Sequence, residues 1–173
     1  FVGSSIDMFA QDIPDSWIKT VLDYCDEYNR YLFQSKNPAR ILEYLDHPVF
    51  KRSVVCTTIE TNRSYPEIMR NSPLIEDRVK AMADISARGI KTYVTTEPLM
   101  EFDLNEMIEC IKMCNPEQVN IGKNTNGKVC IPEPTPEEPQ PSEPEEQAKT
   151  PVYCDMDFRT SDGVEDTRDA TVG

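Results

Sequence analysis

Ser53-Val54-Val55-Cys56-Thr57-Thr58-Ile59-Glu60 is the stretch on which the fold turns. It is β-branched almost throughout, which suits a covered strand, and it closes on a carboxylate. A polar connection over 61–76 leads to a helix over Asp77–Arg88, which stops at Gly89 as a glycine just past a helix end would make it. The chain then enters a second strand, Thr92-Tyr93-Val94-Thr95-Thr96, and this too ends on a carboxylate, Glu97. Strand, helix and strand in that order pair in parallel, because the crossover returns the chain to its starting edge.

The same alternation extends in both directions. Upstream, Phe1–Ser5 reads as a strand, and Ile13-Pro14-Asp15-Ser16-Trp17 opens a helix with proline early and acid in the first turn. Trp17, Ile18, Val21, Leu22 and Cys25 recur at helical spacing and are expected to form its buried face. Tyr31-Leu32-Phe33 is the next strand, running into Gln34-Ser35-Lys36, and Asn37-Pro38 starts a helix that buries Ile41, Leu42 and Leu45. Downstream, a helix over 103–114, capped by Asp103, precedes the strand Gln118-Val119-Asn120-Ile121. Five parallel strands in succession suit part of a barrel or a doubly wound sheet.

Residues 132–150 break the pattern with six prolines and six glutamates in 19 positions, a composition that builds no core. The expected organisation is a partial α/β barrel over 1–131, a Pro/Glu-rich linker over 132–150, a final strand within 151–159 and a polar, disordered tail over 160–173. The chain opens at Phe1 inside an apparent strand, so an upstream portion is expected to precede it.

Charge narrows the partners. The formal net charge is −13, but residues 133–173 hold 12 acidic and 3 basic residues, net −9, which leaves the globular part at −4. A surface without basic excess disfavours nucleic acid as a direct ligand. No apolar run approaches the roughly 20 residues that span a bilayer. Of the six cysteines, Cys25, Cys56, Cys110 and Cys114 fall on or near predicted helices and strands, and the C-x-x-x-C of Cys110 and Cys114 has no third cysteine at cluster spacing, which favours thiols packed in a cytoplasmic core over disulfides or a metal site.

In parallel α/β folds ligands bind at the carboxyl ends of the strands. That rule selects Ser4, Ser5 and Asp7, then Ser35 and Lys36, Thr58 and Glu60, Thr96 and Glu97, and finally Asn120, Lys123 and Asn124. Carboxylates, a lysine and hydroxyls at one mouth suit a zwitterion such as an amino acid. Glu60 and Glu97 stand out, because a charge closing an apolar strand is costly unless it is paired. Lys36 also has the chemistry of a Schiff-base nucleophile. His47 falls in the loop before a strand, at the opposite end.

The segments FVGSSIDMF, FQSKNPARILEYL, TTIETNRSYPEI, EDRVKAM, VTTEPLMEFDL and VNIGKNTN, in that order, resemble an uncharacterised family of phage and bacterial radical-SAM-like proteins, distantly similar to spore photoproduct lyase. The resemblance covers about residues 1–126, with 151–158 weaker. It implies a partial (β/α) barrel holding S-adenosylmethionine against a [4Fe–4S] cluster that cleaves it to a 5′-deoxyadenosyl radical. It places Ser4, Ser5, Asp7, Ser35 and Lys36 at the methionine moiety, with Glu60 and Glu97 lining the cofactor or substrate space, and Asn120 is a further cofactor-binding candidate from its strand-end position. The family's cysteine triplet does not occur in this chain, so the cluster ligands are expected upstream, and the segment alone is expected to bind the cofactor weakly or not at all. The competing expectation is a non-catalytic, barrel-like adaptor without a cluster. An incomplete barrel also exposes a strand edge, through which the chain is expected to self-associate.

Overall fold

The computed structural model describes residues 2, 6–125 and 130–135, together with the backbone of 152–154. The expectations for Ser4, Ser5, most of the Pro/Glu segment and the tail lie outside these residues.

The fold is mixed α/β around an all-parallel sheet. Strands β1 (Tyr31–Gln34), β2 (Ser53–Thr58), β3 (Lys91–Thr96) and β4 (Gln118–Ile121) lie side by side in chain order, and β5 (Val152–Cys154) pairs with β4 in the same direction. Of the strand expected over 1–5, the described residue Val2 makes one parallel bridge to Phe33, on the other side of β1. A doubly wound sheet reverses its order at a switch point. Here the order runs one way, and the sheet is open among the described residues.

Pairing register sorts the side chains, since successive residues of a strand point to opposite faces. Phe33 pairs with Val55, and Thr57 with Val94. This face packs against α1 (Asp15–Asp23), α2 (Pro38–Ile41), α4 (Ile75–Ala87) and α5 (Leu104–Met113), and one apolar cluster joins Phe33, Val55 and Val94 to Ile18, Leu22, Ile41, Val79, Met82, Ile85 and Met107. At its centre Phe33 meets Phe9 edge-on at 6.1 Å and Phe50 at 5.2 Å. Helix α4 ends in a Schellman turn: Gly89 takes φ +79°, its N–H donates to Ser86 and that of Ile90 to Ile85.

Several local expectations need correction. In α1, Ile18 and Leu22 are buried, but Trp17 is 65% exposed and Val21 39%. The five apolar positions span an arc of about 140° at ~100° per residue, and only the edge that carries Ile18 and Leu22 is covered. Helix α4 begins two residues earlier than expected, at Ile75, and a short helix α3 (Pro66–Met69) interrupts the polar connection before it. Asp103 occupies the N-cap position of α5 without a side-chain cap bond, because its carboxylate is engaged elsewhere. His47 begins a 3-10 turn before β2, accepting from the Val49 N–H and meeting Asp23 at 3.2 Å, at the amino end as expected.

Candidate functional site

Among the described residues the sheet's other face contributes nothing to the apolar cluster. Parallel sheets are ordinarily buried on both sides and read as continuous aliphatic runs. Here the register aligns a rung of Gln34, Cys56, Tyr93 and Gln118, and beyond it a rung of Thr58, Thr95 and Asn120. Polarity rises toward the carboxyl ends, where charged groups form a lip.

At that lip the chain builds a buried ionic triad. Glu60 follows β2 and is 3% exposed. One of its oxygens takes the Lys36 ammonium, from the loop after β1, and the other accepts from Arg78 Nη1 at 2.8 Å. Arg78 comes from α4 behind the sheet and is fully buried; it also donates to the Thr58 carbonyl through Nη1 and to the Pro73 carbonyl through Nε, each at 2.9 Å. Its Nη2 is enclosed with no partner among the described residues. Two cations share the Glu60 carboxylate, and the Lys36 side chain, 43% exposed, presents its ammonium at the surface.

Asp7 fixes the loop that presents Lys36. One carboxylate oxygen accepts from Ser35 Oγ at 3.0 Å and the Lys36 N–H at 2.9 Å, and the other from the Phe9 N–H at 3.0 Å. Ser35 Oγ accepts in turn from the Asn37 N–H at 2.8 Å. A local cap alone would satisfy only its own turn. Asp7 instead ties the segment before α1 to the end of β1.

Of the residues selected by strand position, Asp7, Ser35, Lys36 and Glu60 are therefore brought into one network. Glu97 is not part of it. It is exposed, with no hydrogen bond or ion pair among the described residues, and it escapes the desolvation argument that drew attention to it. Its side chain lies against Gly122, where an added Cβ would come within 2.8 Å of Glu97 Cγ. Asn120 sits on the polar face, accepting from Gln118 Nε2 at 2.7 Å.

Sequence reasoning missed Arg78 and Arg63. Arg78 lies among charged residues in Glu76-Asp77-Arg78, and only its position on the inward arc with Val79 and Met82 could have betrayed it. Arg63 grips Asp103 with two bonds, at 2.9 and 2.7 Å, and reaches Glu101 at 3.1 Å, while Asn62 accepts from the Asp103 N–H at 2.8 Å. These contacts tie the loop after β2 to the one after β3. The Arg63 guanidinium, with Asn62, holds the Asp103 carboxyl down at about 2. A depressed carboxyl favours the folded chain above its ordinary pKa near 4, and that contribution disappears as pH falls toward about 2. A carbon-detected NMR titration should place the Asp103 midpoint near 2 in the native chain and higher in Arg63→Gln, short of the ordinary value because the Asn62 bond remains. The stability effect is small, because the pair is solvent-exposed.

Among the described residues no three His, Cys, Asp or Glu side chains group to hold a metal ion. Cys56 and Cys114 are buried with thiols pushed up to about 12 by desolvation, Cys25 and Cys110 are half-buried, and Cys130 is exposed. These residues do not fit the three-thiolate set that a [4Fe–4S] cluster needs. No helix among them is long and apolar enough to cross a membrane. The chain matches no protein-family model, no curated protein and no solved structure.

Proposed function

We propose that this chain is the larger part of a radical-SAM-like barrel wall, and that it binds S-adenosylmethionine by its amino-acid end at the carboxyl ends of the strands. The observation that carries this reading is the Lys36 ammonium of the Lys36–Glu60–Arg78 triad, held half-exposed beside a polar sheet face while Arg78 also serves Glu60. Lys36 takes the ligand carboxylate. Glu97, two strands away and about 10 Å across the lip at ~4.8 Å per strand, offers an unengaged carboxylate to the ligand's positive groups. Asp7 and Glu60 position Lys36 and do not touch the ligand. Radical formation requires a cluster, whose ligands lie outside the described residues.

The test is ligand-observed NMR at millimolar concentration, using S-adenosylmethionine, methionine and the methionine analogue lacking its carboxylate. A hydrogen bond to a charged partner contributes about 1.5–3 kcal/mol, so Lys36→Met should weaken the first two ligands at least tenfold. The decarboxylated analogue should bind native and variant chains alike. Binding that ignores Lys36 rejects the reading.

A non-catalytic adaptor is the second reading. Its supporting observation is the exposed aromatic side of α1 and the turn after it, where Trp17, Tyr24 and Tyr28 are 65%, 85% and 88% exposed. An adaptor would bind its partner through these residues and be indifferent to Lys36→Met.

A further inference from the structure

Helix α5 carries an apolar flank that the described residues leave open. Met107 and Cys114 are buried and mark the side of the helix that faces the sheet. Burial, and then the charges of Glu106 and of Glu76 on α4, push the Cys110 thiol up, which marks the side turned toward that neighbour. At ~100° per residue, Leu104, Ile108 and Ile111 fall on the other side of the buried line, in one stripe. Leu104 is 62% exposed and Ile108 38%, and Ile111 is half-buried. On the same face of the sheet Ile121, which follows the buried Val119 along β4, is 36% exposed.

We propose that this flank is the docking surface for the chain's own Pro/Glu-rich segment 136–151. Where the chain leaves and re-enters the described fold selects that occupant. The Glu101 N–H donates to the Pro132 carbonyl at 2.8 Å, beside the Met100 N–H that donates to the Glu60 carbonyl at 2.9 Å, so the chain departs from the carboxyl ends of the strands. It returns at Val152, which pairs in parallel with Val119 near the amino end of β4. The 16 residues 136–151 therefore cross the length of the sheet on one face or the other. Crossovers between parallel strands are right-handed in about 98% of cases. Because β5 continues the order of the strands before it, a crossover of the same hand as those through α4 and α5 lies on their face, next to the open flank. Helix α5 runs from Leu104 at the carboxyl end of the sheet toward the amino end, so the segment meets Leu104, Ile108 and Ile111 in turn. Five prolines bar a helix from this role, but their rings are apolar and rigid and cover apolar side chains at little entropic cost. Reach is ample: at ~3.1 Å per residue a proline-rich segment of this length extends to about 50 Å, several times the length of β4. The same route keeps the segment off the polar face, and the proposal rests on none of the chemistry at the lip.

Isotope-edited nuclear Overhauser spectroscopy on the whole chain tests the proposal. The Leu104 and Ile108 methyls should show contacts to ring protons of Pro136, Pro139, Pro141 or Pro144. Mixing labelled with unlabelled chain separates contacts within one molecule from contacts between two. Contacts found only between molecules would assign the flank to a second copy and overturn the proposal. So would proline contacts to Tyr93 and Gln118 on the polar face, or none to either methyl group. A second readout is cleavage at Glu145 and Glu146 by a Glu-specific protease. Leu104→Ser with Ile108→Ser, both at exposed positions, should speed that cleavage at least about fivefold, because losing two apolar contacts raises the fraction of chains with the segment undocked. Where the double variant does not fold, Ile108→Thr provides the same comparison. Equal cleavage of the native chain and a folded variant overturns the proposal.

Discussion

Arg78→Met is expected to destabilise the chain by about 3–5 kcal/mol, the cost of removing one partner from a buried ion pair. The substitution nearly preserves volume, so packing loss contributes little. What it leaves is Glu60, 3% exposed, with Lys36 as its one remaining cation, and the carbonyls of Thr58 and Pro73 without the donors they now have. Urea denaturation should show a lower midpoint at unchanged slope. The companion variant Arg78→Met with Glu60→Gln removes the stranded charge and should recover part of the loss. If the double variant is no better than the single one, the cost comes from packing and the triad is not an electrostatic unit.

Asp7→Ala should cost about 2–4 kcal/mol and loosen the loop that carries Lys36. Three donors lose their acceptor at once: Ser35 Oγ, the Lys36 N–H and the Phe9 N–H. Bonds to a charged group contribute about 1.5–3 kcal/mol each, but the loop is only partly buried and water replaces some of them. Hydrogen exchange resolves the two consequences. The amides of Phe9 and Lys36 should lose protection in the variant, while the β2 amides keep theirs relative to global stability. Uniform loss across the sheet would mean that Asp7 supports the whole fold and not this loop. Asp7→Asn, which keeps an acceptor oxygen, should sit between the two.

Much of this was legible in the sequence, and the legible part has a common cause. The β-branched run at 53–59 and the alternation around it constrain topology, since strand–helix–strand units admit only parallel pairing and one handedness of crossover. The same topology places the residues after each strand at one end, which is why Asp7, Ser35, Lys36 and Glu60 could be selected together. Glu60 behaved as the desolvation argument required: it is buried and doubly paired. Glu97, chosen by the same argument, is exposed, because burial depends on what covers a strand end and not on the strand itself. Arg78 escaped because a charged residue on an inward helix arc reads as a helix-surface residue unless its partner is known. Trp17 and Val21 misled for the reciprocal reason: periodicity marks an apolar arc but not how much of it a neighbour will cover.

The central claim is that the lip around Lys36, Glu60 and Arg78 receives the anionic end of a small ligand. A two-dimensional amide NMR titration with methionine tests it most directly. The account predicts concentration-dependent shifts confined to Ser35, Lys36 and 58–61, with smaller ones at Glu97, all abolished by Lys36→Met. Shifts centred on α1, or shifts that persist unchanged in the Lys36 variant, would contradict it.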